Sequence, residues 1–300
     1  MKNFKFVVSL ITENNDYQHE LALSAEDTAR RLGVEVQITY AENDADAQSN
    51  VLMEAINRPE NQRPDGFIVM PVGNGRAEVA EAAAKAGIGW AVLNRHVDYI
   101  AELRRNYSAP IFSVSVDQEE IGRIQGRQIS ALLPSGGTII SLMGANGSLA
   151  ASYRFVGMQS AKPANVGIRI LRGDWTELGA YEAVKKWLRL SEQNARSVVL
   201  VAAQSDEMAM GARNALNECA PAIVPRVSFL GLDGTPKAQS WIRDGLLTAS
   251  VVVPVTSGVA LEMMLRALQT GERPERNAKV APSPLPPFQE LRPMAARQAL

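Results

Sequence analysis

Phe4-Lys5-Phe6-Val7-Val8-Ser9-Leu10-Ile11 is a short apolar run that passes directly into Thr12-Glu13-Asn14-Asn15-Asp16-Tyr17-Gln18. His19 to Leu32 follows, with Leu21, Ala25, Thr28, Ala29 and Leu32 roughly on one face, and Gly33 stops the pattern. An unbroken apolar run of this length reads as a strand buried on both faces, and the 3.6-residue spacing after it reads as an amphipathic helix. Strand, polar turn and helix in that order form the repeating unit of a parallel α/β sheet.

Outward from this unit the rhythm continues. Val34–Tyr40, Phe67–Met70 and Gly89–Leu93 read as strands, with helices over Ala45–Asn57 and Ala77–Ala86 between them. It resumes with a helix over Gln118–Leu132. Strands follow at Gly137–Leu142, Gly167–Leu171, Ser197–Ala202, Val227–Leu232 and Leu247–Val253. The helices that alternate with them are Ser152–Ser160, Leu178–Leu190, Glu207–Glu218, Pro236–Arg243 and Ser257–Gln269. Two α/β arrays of similar size fit two lobes. The proline-rich stretch Ala281–Phe288 is expected to lie extended on the surface.

The 300 residues suffice for two domains, and 46% apolar with 21% charged residues provides for real cores. A net charge of -1 argues against a nucleic-acid partner, which calls for a basic face. The single Cys219 leaves no internal disulfide, and with only His19 and His96 beside it neither a zinc site nor a cofactor is called for. No stretch is long and apolar enough to span a bilayer. The N-terminal run lacks the longer apolar region of a signal peptide. Either a leader has been removed and the chain is periplasmic, or it is cytoplasmic.

Ligands of open parallel sheets sit beyond the carboxyl ends of the strands, so the chemistry belongs in the strand-to-helix loops. The first loop offers Asn15, Tyr17 and Gln18, hydrogen-bonding groups around a flat ring, though a helix cap near Asp16 explains part of it. Asn94-Arg95-His96 puts a planar guanidinium at a strand end, suited to adjacent hydroxyls or a carboxylate; a solvated arginine is the plainer reading. Met143–Arg154 is glycine-rich and opens a helix but lacks Gly-Lys-Ser/Thr, and Gly73-Asn74-Gly75 carries Glu78 where a dinucleotide fingerprint has its third glycine. Trp175 is either a stacking surface for a sugar or a plug at the rim. Gln204-Ser205-Asp206-Glu207-Met208-Ala209 and Gly231-Leu232-Asp233-Gly234-Thr235-Pro236 each set an acid at or just past a strand's end. Asp206 reads as a helix cap; Asp233 reads either as an acceptor for ligand hydroxyls or as a turn residue. Gly-x-Ser-x-Gly is absent, neither histidine has an evident partner, and no catalytic residue is assigned.

Taken together, in order and spacing, these two motifs resemble those of type I periplasmic sugar-binding proteins, the ribose-binding family that shares its fold with the effector domains of lactose-repressor-type regulators. The resemblance spans roughly residues 4 to 280. It implies two doubly wound parallel-sheet lobes joined by a hinge of three crossovers, near Val116, Val253 and Ala281. The N-terminal lobe would then take residues 1–116 and 254–281, and the C-terminal lobe 117–253 and 282–300. The ligand, a sugar, would be held between the lobes as they close. The implied partners are that sugar and the membrane subunits of an ABC transporter, with the protein a monomer.

The resemblance also assigns the contacts. Asn15 and Tyr17 match polar and stacking positions, whereas Gln18 stands where a second aromatic is frequent. Arg95 matches the strand-end arginine, but Asn94 replaces the acid before it. Arg154 and Trp175 match the arginine and stacking aromatic of the second lobe. Ser205 replaces Asn or Asp, Asp233 matches the carboxylate of the turn, and Val252 replaces a Gln two residues before Pro254. Each replacement removes hydrogen-bonding capacity or negative charge. The expectation is a sugar derivative, acidic or less hydroxylated than ribose. An effector-binding domain in the cytoplasm or on a sensor is the alternative; no helix-turn-helix precedes the first strand. An enzyme on this scaffold is the third reading.

Overall fold

The computed structural model describes residues 3–73, 76–95, 97–190 and 198–293. The chain forms two compact units, residues 1–116 with 255–280 and residues 117–254 with 281–300, and passes between them after Val116, Pro254 and Val280.

The first unit is built on β1 (Lys5–Leu10), β2 (Glu35–Tyr40), β3 (Gly66–Val69), β4 (Gly89–Leu93), β5 (Ile111–Val116) and β11 (Asn277–Val280). They lie in the order β11-β5-β4-β3-β1-β2, every neighbouring pair parallel. Parallel strands need crossovers, and four of them are helical: α1 (Asp16–Leu32), α2 (Ala45–Asn57), α3 (Ala77–Lys85) and α4 (Tyr99–Asn106). Val7, Phe67, Val69, Trp90, Val92 and Ile111 form one sheet face and pack with Leu52, Ala80, Ala83, Ile100 and Leu103 of α2, α3 and α4. On the other face α1 packs beside α10 (Ser257–Thr270), where the Ser257 hydroxyl donates to the Leu21 carbonyl at 2.6 Å. A Cβ on Gly258 would stand 2.6 Å from Thr28 Oγ1, so that glycine sets the helix separation. Both faces being covered explains the continuous apolar runs.

The second unit has β6 (Gly137–Met143), β7 (Val166–Arg172), β8 (Val198–Ala203) and β9 (Ser228–Leu230) in the order β7-β6-β8-β9, again parallel. Ile140, Leu142, Val201 and Ala203 pack with α7 (Glu177–Leu188), α8 (Asp206–Cys219) and α9 (Pro236–Arg243). Ile139, Leu200 and Ala202 face α5 (Gln118–Leu132) and α6 (Leu149–Ala161). α5 and α6 touch backbone to backbone: a Cβ on Gly122 or Gly157 would meet a carbonyl oxygen of the other helix at 2.0 Å.

The periodic reading leaves 97–117 without elements, and α4 and β5 lie there. The proline-rich stretch Ala281–Phe288 is extended with none of its residues fully buried, as expected, but it also pairs as a strand. Its Ser283–Leu285 is β12, antiparallel to β10 (Ser250–Val252), and Leu291 is buried in the second unit's core with Phe288 against it. Proline is accepted in an edge strand, where one N–H is not needed, and the core contribution comes after the stretch, at Leu291. The strand read at Leu247–Val253 shortens to three residues. His96, Asn74, Gly75 and Ser197 lie outside the described residues. No described helix is long and apolar enough to cross a membrane.

Candidate functional site

In each sheet the strand order reverses once, between β1 and β3 and between β6 and β8, and loops diverge there at the carboxyl edge. The candidate residues gather on those edges, five in one unit and five in the other.

In the first unit Asn15 caps α1, its side chain accepting from Gln18 N–H at 3.1 Å. Gln18 is buried and its amide faces inward: Oε1 accepts from Ile11 N–H at 2.9 Å and Nε2 reaches Met70 Sδ at 3.2 Å. This side chain thus ties the ends of β1 and β3 together. Gln48, missed by the sequence reading, works beside it, donating to Ser9 Oγ and the Met70 carbonyl and accepting from Val72 N–H. Tyr17 is buried with its hydroxyl 2.8 Å from Asn94 Nδ2, which donates to it. Thr256 Oγ1 donates to Asn94 Oδ1 at 3.3 Å, so both ends of that carboxamide are engaged. Arg95 follows, half-buried, with its Nε shielded from solvent and without a hydrogen-bond partner among the described residues. Burial draws its guanidinium below the ordinary arginine range, and among the described residues no carboxylate counters that shift.

In the second unit Arg154 projects from α6 and is nearly buried. Its Nε donates to Gln118 Oε1 at 2.8 Å and its Nη1 to the Gln204 carbonyl at 3.0 Å. The guanidinium carbon stands 5.7 Å from the centre of the Trp175 ring. That ring lies against Gly144, where a Cβ would come within 2.1 Å of it, and packs on the core. Gln204 accepts from Gly144 N–H at 3.1 Å and donates to the Ala151 carbonyl at 2.8 Å, clasping the β6 loop to the end of β8. Gln118, Gly144 and Gln204 were not among the assigned contacts. Gln204 opens the first quoted motif, but its partners come from a loop sixty positions away and leave no local signal.

Asp206 is not the helix cap. Ser205 caps α8, accepting from Met208 N–H at 3.1 Å, and is itself buried. Asp206 is instead directed to the next turn, its Oδ2 accepting from Gly234 N–H at 2.7 Å and its Oδ1 from Ser250 Oγ at 2.6 Å. Complete burial pushes its carboxyl well above the usual aspartate range. The Asp233 charge adds to the rise, and the bonds from Ser250, Gly234 and Thr235 oppose it. Asp233 is fixed by its backbone, donating to the Val251 carbonyl and accepting from Val253 N–H. Val252 backs this turn; a Cβ on Gly234 would lie 2.8 Å from Val252 Cα.

Among the described residues five non-glycines have positive φ, and three are Asn94 (54°), Trp175 (75°) and Asp233 (110°). Such conformations cost about 1–3 kcal/mol each, less for asparagine, and persist where packing enforces them.

Two doubly wound α/β units, threaded three times by one chain and each ending in a polar, aromatic-lined edge, define the class of two-domain solute-binding proteins. The chain belongs to the periplasmic binding protein domain family, whose family model matches residues 6–273. It is 24% identical over 260 residues to the galactofuranose-binding protein YtfQ of Escherichia coli, covering 84% of this chain and 78% of that one. It is 25% identical over 277 residues to the D-allose-binding periplasmic protein of the same organism, covering 89% and 86%. A periplasmic solute-binding protein of an ABC transporter from Actinobacillus succinogenes, solved with bound D-allose, superposes with a TM-score of 0.82 at 19% identity, covering 99% of this chain and all of that one. The family consists of solute-binding proteins.

Proposed function

We propose that the chain is the solute-binding component of an ABC-type transporter and takes a sugar or sugar derivative, working as a monomer in the periplasm. The observation that carries the reading is the pair of half-sites. Each unit has a guanidinium and an aromatic ring at the carboxyl edge of its sheet, Arg95 with Tyr17 in the first and Arg154 with Trp175 in the second. Guanidinium forks and the Asp233 carboxylate suit the vicinal hydroxyls of a sugar ring, and aromatic faces suit its C–H faces. The relatives named for galactofuranose and allose support the same class.

As mechanism, Arg95, Arg154 and Asp233 orient the ligand while Tyr17 and Trp175 cover its apolar faces. Asn94 fixes Tyr17, and Asn15, Gln18, Ser205 and Val252 hold the loops that carry the contacts. Ligand binding at a half-site favours the conformation that presents its contacts. That conformation is what the transporter recognises. No step breaks or makes a covalent bond.

Native mass spectrometry of the purified protein tests the reading, backed by thermal shifts across a sugar panel. A sugar or sugar acid recovered unchanged from a monomer supports it. A ligand at 100 times its Kd stabilises by about 2.7 kcal/mol, which such shifts resolve. Conversion of the bound sugar to a product would overturn it.

A further inference from the structure

We infer that the first unit's edge selects for an anionic group on the ligand, a carboxylate in the manner of a uronic or aldonic acid, and that Arg95 is the residue that reads it. This rests on the sugar-binding reading above and names its substrate class.

Two observations meet at Arg95. Its Nε is buried without a partner among the described residues, so a donor in the fork has lost water without gaining an acceptor. An unmade bond of this kind is costly, most of all for a charged group. The guanidinium also has no ion pair among the described residues, and burial alone sets its electrostatics. Other buried or half-buried arginines of this chain are provided for: Arg123 is held by Glu119 and Glu120, and Arg104 donates to the Ile111 and Pro274 carbonyls.

No described acid forms an ion pair with Arg95, and its shift has burial as its cause. Asn94 is neutral, and its carboxamide is consumed by Tyr17 and Thr256. A hydroxyl would fill the Nε acceptor position but leave the charge uncompensated. A carboxylate satisfies both, because its two oxygens match Nε–H and one Nη–H in parallel.

The test is calorimetric titration of the whole protein with matched pairs, D-galacturonate against D-galactose and D-glucuronate against D-glucose. The wild type is compared with Asn94→Asp and Arg95→Met. The expected result is that an acid binds at least about tenfold more tightly than its neutral parent, since one charge-assisted bond supplies that much. Asn94→Asp is isosteric, and Tyr17 and Thr256 can both donate to it, so it should fold. It places an anion beside Arg95 and should cut the acid-to-neutral ratio at least about tenfold, as should Arg95→Met. A neutral sugar bound as tightly as its acid, or a ratio unmoved by Asn94→Asp, overturns the inference and leaves the sugar-binding function standing. No binding by either member of either pair, together with a non-sugar ligand in native mass spectrometry, overturns both.

Discussion

A methyl group on Gly234 would lie 2.8 Å from Val252 Cα and Cγ2, on a residue whose φ is 66°. Gly234→Ala therefore combines backbone strain with a clash against main chain, and the turn that sets Asp233 must move. A loss of about 2–4 kcal/mol is expected in urea denaturation, with weakened ligand binding. Gly245 shares the positive φ at 70° but faces open space, so Gly245→Ala should cost only about 1 kcal/mol. Equal losses would show that the contact with Val252 is unimportant. Asp206 makes a prediction in pH. Its carboxyl is raised in the folded protein, so the native state holds the proton more tightly than the unfolded chain does. Stability from this group is then present below the unfolded aspartate pKa of about 3.9 and falls as pH rises toward the raised native value. Asp206→Asn removes the titration. The stability of Asp206→Asn minus that of wild type should climb with pH, and a difference flat from pH 4 to 8 would contradict the buried-acid account. Candidate positions could be assigned at this scale wherever a strand end could be found, as with Arg95 and Asp233. The partner of Asp206 was not, because it depends on which turn the fold brings next to α8.

α5 and α6 cross so closely that a Cβ on Gly157 would sit 2.0 Å from the Glu119 carbonyl oxygen. Arg154 lies one turn earlier on α6 and bonds to Gln118 on α5. Gly157→Ala should therefore push the helices apart, cost about 1–3 kcal/mol and weaken binding through Arg154, read by denaturation and titration together. Gly167→Ala, on β7 with its nearest neighbouring atom 3.7 Å away, is the control and should be close to neutral. The helices α2, α5 and α9 and the strand β4 were readable to the residue, because an apolar stripe or run is a local signal that burial then confirms. The elements that escaped have weaker local signals. α4 buries only Ile100 and Leu103, too few to establish a period. β11, Asn277-Ala278-Lys279-Val280, has one β-branched residue and is a strand because β5 leaves an edge for it. β12 carries a proline and is a strand because β10 accepts it antiparallel.

The whole molecule raises the question of whether one ligand needs both units. Each has its own core on both faces of its own sheet and its own arginine and aromatic, so either could in principle hold a ligand alone. A weak half-site is poor at retaining a small polar ligand, since a few charge-assisted bonds barely offset the entropy lost on association. Substitutions made separately in each unit show which half-site the ligand uses. Arg95→Met in the first unit and Asp233→Asn in the second separate the cases. Neither substitution should destabilise the unliganded protein: Arg95→Met removes a buried donor that has no partner among the described residues, and Asp233→Asn removes the charge that adds to the rise at Asp206. With the ligand identified by native mass spectrometry, each substitution alone should weaken binding about tenfold or more, the worth of one bond to a charged group. The thermal shift at fixed ligand should shrink in both variants. If one variant binds as the wild type does while the other loses affinity, the ligand belongs to a single unit and the other half-site has no part in holding it. If both lose affinity, the arginine of the first unit and the acid of the second both contribute to binding.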